Sequence, residues 1–161
     1  MLDQIRKNFE YDHWANQKSL EAIQALASPP EKAVKIFGHI LFAKDVWLSR
    51  LLHEDSSRYT DPWPPYRVEE CGSKLGELHG IWAAYLKGLS EGDLGKDLRF
   101  KNTQGRTFEQ RIGNILFQVA YHGHYHRGQL ATLIALAGGK SPTTDYIAYT
   151  AFLGEGREIK E

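Results

Sequence analysis

The chain has 161 residues, enough for one domain with a full core, and 20 Lys plus Arg balance 20 Asp plus Glu. Its 42% hydrophobic and 12% aromatic content marks a globular chain, and its zero net charge gives no electrostatic reason to expect nucleic acid or an anionic membrane as partner. Cys71 is the sole cysteine, which excludes an internal disulfide and a cysteine-rich zinc site.

Residues 3–27 read as a first helix, with Ile5, Phe9, Ile23 and Leu26 at helical spacing and Asp3 as N-cap. Ser28-Pro29-Pro30 stops it. Residues 31–53 read as a second helix, with an apolar stripe of Ile36, Ile40, Ala43, Trp47 and Leu51 that also carries His39. Residues 54–68 form a loop, where three prolines in four positions surround Trp63 and forbid a helix. A third helix is expected over 69–90, with Leu75, Leu78, Trp82, Leu86 and Leu89 inward. Gly76 and Gly80 inside it suggest a close helix approach.

Residues 96–106 alternate weakly and end in Asn102-Thr103-Gln104-Gly105, so a short hairpin is expected there. Thr107 to Gln110 matches a capping box and predicts the start of a fourth helix. Its stripe runs through Phe108, Ile112, Ile115, Val119, His122, His126, Leu130, Leu133 and Ala137 to a stop at Gly138-Gly139. A last short helix is expected over Asp145 to Phe152. No repeat or linker divides the chain, so 1–161 reads as a single domain. Four amphipathic helices predict an all-α, up-down four-helix bundle with a short hairpin before the last long helix. The charged start MLDQIRKNFEYDHW has no signal-peptide pattern, and no apolar run approaches the roughly 18 residues of a membrane span. The expectation is a cytoplasmic protein, in keeping with its single cysteine.

Seven histidines carry the chemistry. His122 and His126 are four residues apart, which stacks both imidazoles on one face of a helix, and that face points to the core. Two such nitrogens fit a single divalent ion, although Gly123 stands where a zincin motif needs Glu. A third ligand must come from another helix, and His39 is the best candidate. Three histidines leave coordination positions open, the pattern of catalytic rather than structural sites. His79 is inward and reads as a ligand or a neighbour of the site. Gln129 reads as a hydrogen-bond partner near it. His13 reads as surface or near the site, His53 as surface, and His124 as exposed or at an interface. Arg127 reads as a solvated or intersubunit residue. Trp63 and Tyr66 of the proline-rich loop are placed to line an entrance. No nucleophile elbow, phosphate loop or paired-carboxylate site is present, so the catalytic residues themselves stay unassigned.

These residues resemble the motifs of the DinB family, the DinB/YfiT-like superfamily of metal-dependent four-helix proteins. His122-Gly123-His124-Tyr125-His126-Arg127-Gly128-Gln129 is similar to its H-x-x-x-H-R-G-Q segment, and Tyr11-Asp12-His13-Trp14-Ala15-Asn16 to its Y-x-x-W-A-N. Gly38-His39-Ile40, with Trp47-Leu48 after it, and Pro142-Thr143-Thr144-Asp145-Tyr146 also fit. The resemblance implies a homodimer and a divalent ion, nickel or zinc, on His39, His122 and His126. It further implies chemistry with a low-molecular-weight thiol such as bacillithiol, mycothiol or glutathione, either transfer to a small electrophile or thiol-dependent isomerisation. Hydrolysis is another expected activity for the open site. A non-catalytic metal-binding protein of stress response, or a plain helical scaffold, is the alternative.

Overall fold

Apolar residues at intervals of three and four produce four long helices. In the computed structural model, whose described residues are 1–155, these are α1 (Leu2–Gln24), α2 (Glu31–Leu51), α3 (Val68–Gly88) and α4 (Ile112–Leu136), followed by a short α5 (Tyr146–Phe152). A 3₁₀ turn (Glu91–Gly95) and two antiparallel strands, β1 (Asp97–Lys101) and β2 (Thr107–Arg111), lie between α3 and α4. The chain is thus mostly helical, with a small two-stranded sheet. Among the described residues no helix is long and apolar enough to cross a membrane.

One core joins the four long helices. Ile5 and Phe9 of α1, Phe37 and Leu41 of α2, Leu78 and Trp82 of α3, and Leu116 and Leu130 of α4 all belong to it. Phe9 packs on Trp82 with ring centroids 4.7 Å apart. The pairing of helices departs from the up-down expectation. α4 packs on α1 and α2, α3 packs on the same two, and α1 meets α2 only sparsely. Consecutive helices α1 and α2 therefore face each other across the core. The link 25–30 reaches roughly 20 Å when extended, which is enough for that crossing.

The ends of α2 and α4 show why each stops. At α2 the His53 N–H bonds to the Arg50 carbonyl and the Glu54 N–H to the Ser49 carbonyl. His53 takes the left-handed conformation (φ 57°) that this closing motif needs. At α4 Gly138 fills the same role (φ 80°), with Gly138 and Gly139 bonding to Ala135 and Ile134. The expected glycine stop is therefore met.

The start of α4 differs from the capping-box reading. Thr107 to Arg111 is strand β2, and the helix begins at Ile112. Phe108 is not on the helical stripe; it pairs with Phe100 across the sheet and is exposed. The turn chemistry explains this. Asn102 Oδ1 accepts from the N–H groups of Gln104 and Arg106, and Gly105 adopts φ 76°, so residues 102–106 close a hairpin that carries Thr107 into a strand. Gly76 and Gly80 do not mediate a close approach, since nothing lies within 4 Å of a side chain built on either.

Candidate metal centre

α2 and α4 share the broadest helix–helix contact, and three histidines meet across it. The ligating nitrogens of His39 on α2 and of His122 and His126 on α4 lie within 4.8 Å of one another. The spacing of four on α4 places His122 and His126 edge to face, with ring centroids 4.5 Å apart. The His39 ring stands 4.9 Å from His122 and 4.8 Å from His126.

Neighbouring acceptors orient two of the rings. The Pro62 carbonyl accepts from His39 Nδ1 at 2.6 Å, and Gln129 Oε1 accepts from His126 Nδ1 at 2.9 Å. A proton on each Nδ1 leaves each Nε2 with a free lone pair. His39 Nε2 lies 3.0 Å from His122 Nε2. That gap is bridged by a proton on His122 or by a cation. Two nitrogen ligands on bonds of about 2.0–2.1 Å to one ion fit within it. Burial, reinforced by His126 and His39, pushes the His122 imidazole down to about 4. Burial also lowers His39, against the opposing pull of the Pro62 hydrogen bond. His122 is therefore neutral near pH 7, the form a metal requires. The three histidines can hold a metal ion.

The expected neighbours of the site separate into two groups. Trp63 stacks on His39 at 4.1 Å, and Gln129 holds His126, so both adjoin the cluster. Tyr66 instead packs against Gly38, where an added Cβ would lie 2.8 Å from its ring, and joins the main core. His79 lies elsewhere. It stacks on His13 at 3.8 Å between α1 and α3, with Glu10 at 3.9 Å. Its place in the helical pattern was inward, but α3 does not border the α2–α4 seam where the cluster forms. Cys71 is buried, and burial raises its thiol to about 11, so it is a poor nucleophile.

Sequence comparison adds an independent observation. The family model of the DinB family matches residues 1–157. The chain belongs to the DinB family. It is 24% identical over 168 aligned positions to Protein DinB of Bacillus subtilis (strain 168), an alignment covering 92% of this chain and 95% of that protein. No solved structure matches it significantly.

The family segments of this DinB chain hold a second cluster that the sequence reading missed. Arg127 is buried within the chain, not solvated or intersubunit as expected from sequence. Its Nη1 donates to Asp12 Oδ1 at 2.5 Å and to Asn16 Oδ1 at 2.9 Å. Lys44 Nζ donates to Asp12 Oδ2 at 2.5 Å. Burial works against the Asp12 charge, but Lys44 and Arg127 outweigh it and hold the carboxyl below its ordinary range. Gly123 makes room, since a Cβ there would collide with Asp12 Oδ1. This cluster ties α1, α2 and α4 together immediately beside the histidines. One signal was available: Lys44 lies four residues after Ile40 and four before Leu48, and a lysine on that apolar face needs a buried partner. The rest of the Y-x-x-W-A-N segment seats α5. Tyr11 donates to the Thr144 carbonyl at 2.7 Å, and Trp14 packs on Tyr149.

Proposed function

We propose that this DinB-family chain is a metalloprotein built on a four-helix frame as one domain, and that it is a metal-dependent transferase of the thiol S-transferase kind. His39, His122 and His126 are the proposed ligands of a nickel or zinc ion. The observation that carries the reading is the convergence of three imidazoles, two of them oriented through Nδ1 so that Nε2 faces the cluster. A divalent ion held there supplies Lewis acidity, which lowers the pKa of a thiol or water at an open position.

The chain's own residues do the positioning. Pro62 and Gln129 hold the rings of His39 and His126, and Trp63 covers the outer side of His39. Loss of such a partner typically costs roughly ten- to a hundredfold in metal affinity. No protein nucleophile is required. The thiol R–SH loses its proton to solvent, its sulfur attacks an electrophile R′–X, and R–S–R′ forms as X⁻ leaves. Water in place of the thiol gives the hydrolytic version. A homodimer is part of the proposal, supported by exposed apolar side chains on α4 and α5 that include Tyr121, Tyr125, Ile147 and Phe152. Sedimentation of a monomer only would remove that part.

The test is transfer of bacillithiol, mycothiol or glutathione to a panel of electrophiles such as monochlorobimane, with zinc- and nickel-loaded protein. Turnover that disappears in His122→Ala supports the enzyme. Full metal loading without transfer on any pair would leave the non-catalytic metal-binding protein in its place.

A further inference from the structure

The side of α4 that faces away from the metal ligands borders a second cavity. His124 is two residues from both His122 and His126, about 200° around the helix from each, so it projects away from them. On that side, among α1, α4 and α5, lies a cavity of about 430 Å³. None of His39, His122 and His126 borders it; Tyr11, Phe117, Tyr121, His124, Asp145 and Tyr146 do. The volume suits a small organic ligand.

Aromatic rings supply much of the lining, in two pairs. Tyr11 and Tyr146 meet edge to face with centroids 5.2 Å apart, and Phe117 and Tyr121 stack at 5.8 Å. Tyr11 is buried and Phe117 half-buried, whereas Tyr121 and Tyr146 are exposed, so one ring of each pair belongs to the floor and the other to the rim. The Tyr11 hydroxyl donates to the Thr144 carbonyl at 2.7 Å, and the Tyr146 hydroxyl accepts from Gln4 Nε2 at 3.3 Å. These bonds hold the rings in place and leave the rings themselves as the recognition surface. Tyr11 already carries the Arg127 guanidinium 5.5 Å over its ring. Phe117, Tyr121 and Tyr146 carry no such cation.

The charge of the lining is one-sided. Asp145 is the N-cap residue of α5, but its side chain makes no capping hydrogen bond, so the helix does not use its carboxylate. No lysine or arginine among the described residues lines the cavity. The cavity of about 560 Å³ at the C-terminal end of α2 differs in this respect, because Arg50, Arg99 and Lys101 share its wall with Glu54 and Asp55. Ring faces carry negative potential, and a carboxylate beside them adds to it. Together they favour a weakly hydrated organic cation.

We propose that this cavity binds a small organic cation bearing a quaternary ammonium group, held by Phe117, Tyr121 and Tyr146 and countered by Asp145. The site stands apart from the metal centre and does not depend on it. Of Tyr121, Tyr125, Ile147 and Phe152, the side chains offered above to a second copy, only Tyr121 borders the cavity.

Choline and its uncharged isostere 3,3-dimethylbutan-1-ol test the proposal by NMR titration of the full-length protein, read at backbone amides. Choline is expected to saturate the site and to bind roughly tenfold tighter than the alcohol, the scale of cation–π contact at a partly desolvated site. The shifts should cluster at residues 117–124 and 145–146. The preference should fall to near unity in the double variant Tyr121→Leu, Asp145→Asn. Both residues are exposed and Asn also suits an N-cap, so Tm should stay unchanged. Choline binding should persist in His122→Ala, which separates this site from the metal centre. Equal binding of the two probes by wild type overturns the proposal, as do choline shifts that do not saturate or that cluster elsewhere. A preference that survives in the folded double variant overturns it too. The wild-type titrations alone already decide between these outcomes.

Discussion

Two polar clusters interrupt the same helical core, and they use adjacent residues of α4: His126 belongs to one and Arg127 to the other. In the first cluster Asp12 accepts directly from Lys44 and Arg127, so charges of opposite sign meet. In the second, three imidazoles converge and no carboxylate belongs to the group. An ion pair of the first kind locks helices without help. A set of like acceptors with two nitrogens 3.0 Å apart is favourable only with a proton or a cation between them. One cluster of polar residues holds the fold, and the other is able to hold a metal ion.

Removing the Asp12 carboxylate has the largest expected effect. Asp12→Asn leaves Lys44 and Arg127 buried without their counter-charge, and the expected loss is about 3–5 kcal/mol in denaturant unfolding. A change near zero would mean that the cluster is not a structural lock. His122→Ala should behave in the opposite way. The metal-free protein keeps most of its stability, but added zinc no longer stabilises it. In wild type zinc at 100 times its Kd raises stability by about 2.7 kcal/mol, visible as a shift in Tm. Gln129→Ala should weaken zinc ten- to a hundredfold in chelator competition, because His126 loses the acceptor that orients it.

Acidity sharpens the contrast further. Asp12 is held low in the folded state, so its contribution is complete above the ordinary carboxylate range and is lost as pH falls through its lowered value. His122 is also depressed, to about 4. The unfolded chain binds a proton near 6.5 and the folded chain does not, so metal-free stability declines as pH falls from about 6.5 to 4. Bound zinc should survive at pH 6 and leave as the pH approaches 4. Loss of zinc already at pH 6.5 would contradict the lowered basicity of His122 and His39. The smallest expected effect is at the hairpin. Thr107→Ala in exposed β2 should change stability by less than about 0.5 kcal/mol, rather than the ~1 kcal/mol of a lost helix cap.

What was legible in the sequence divides along the same line. His122 and His126 could be read because their relation is local: a spacing of four on an apolar stripe places them together whatever the rest of the chain does. His39 followed from the same stripe logic on α2. The Asp12–Arg127 lock was not legible, since burying an arginine depends on partners 111 and 115 residues away on α1. The hairpin was read too short because Thr107 to Gln110 satisfies a helix cap as well as a strand, and only the Asn102–Gly105 turn decides between them. The order of the helices around the core was misread because local pattern does not say whether the link 25–30 turns back or crosses over. His79 was read as inward, yet it is only partly buried and stacks on His13 at the rim between α1 and α3.

The most direct measurement is the metal content of protein purified without a histidine tag, for wild type and for His39→Ala, His122→Ala and His126→Ala. A centre built by all three residues predicts about one nickel or zinc ion per chain in wild type and clear loss in each variant. Wild type that takes up neither metal after incubation, or variants that retain it in full, would contradict the three-histidine centre.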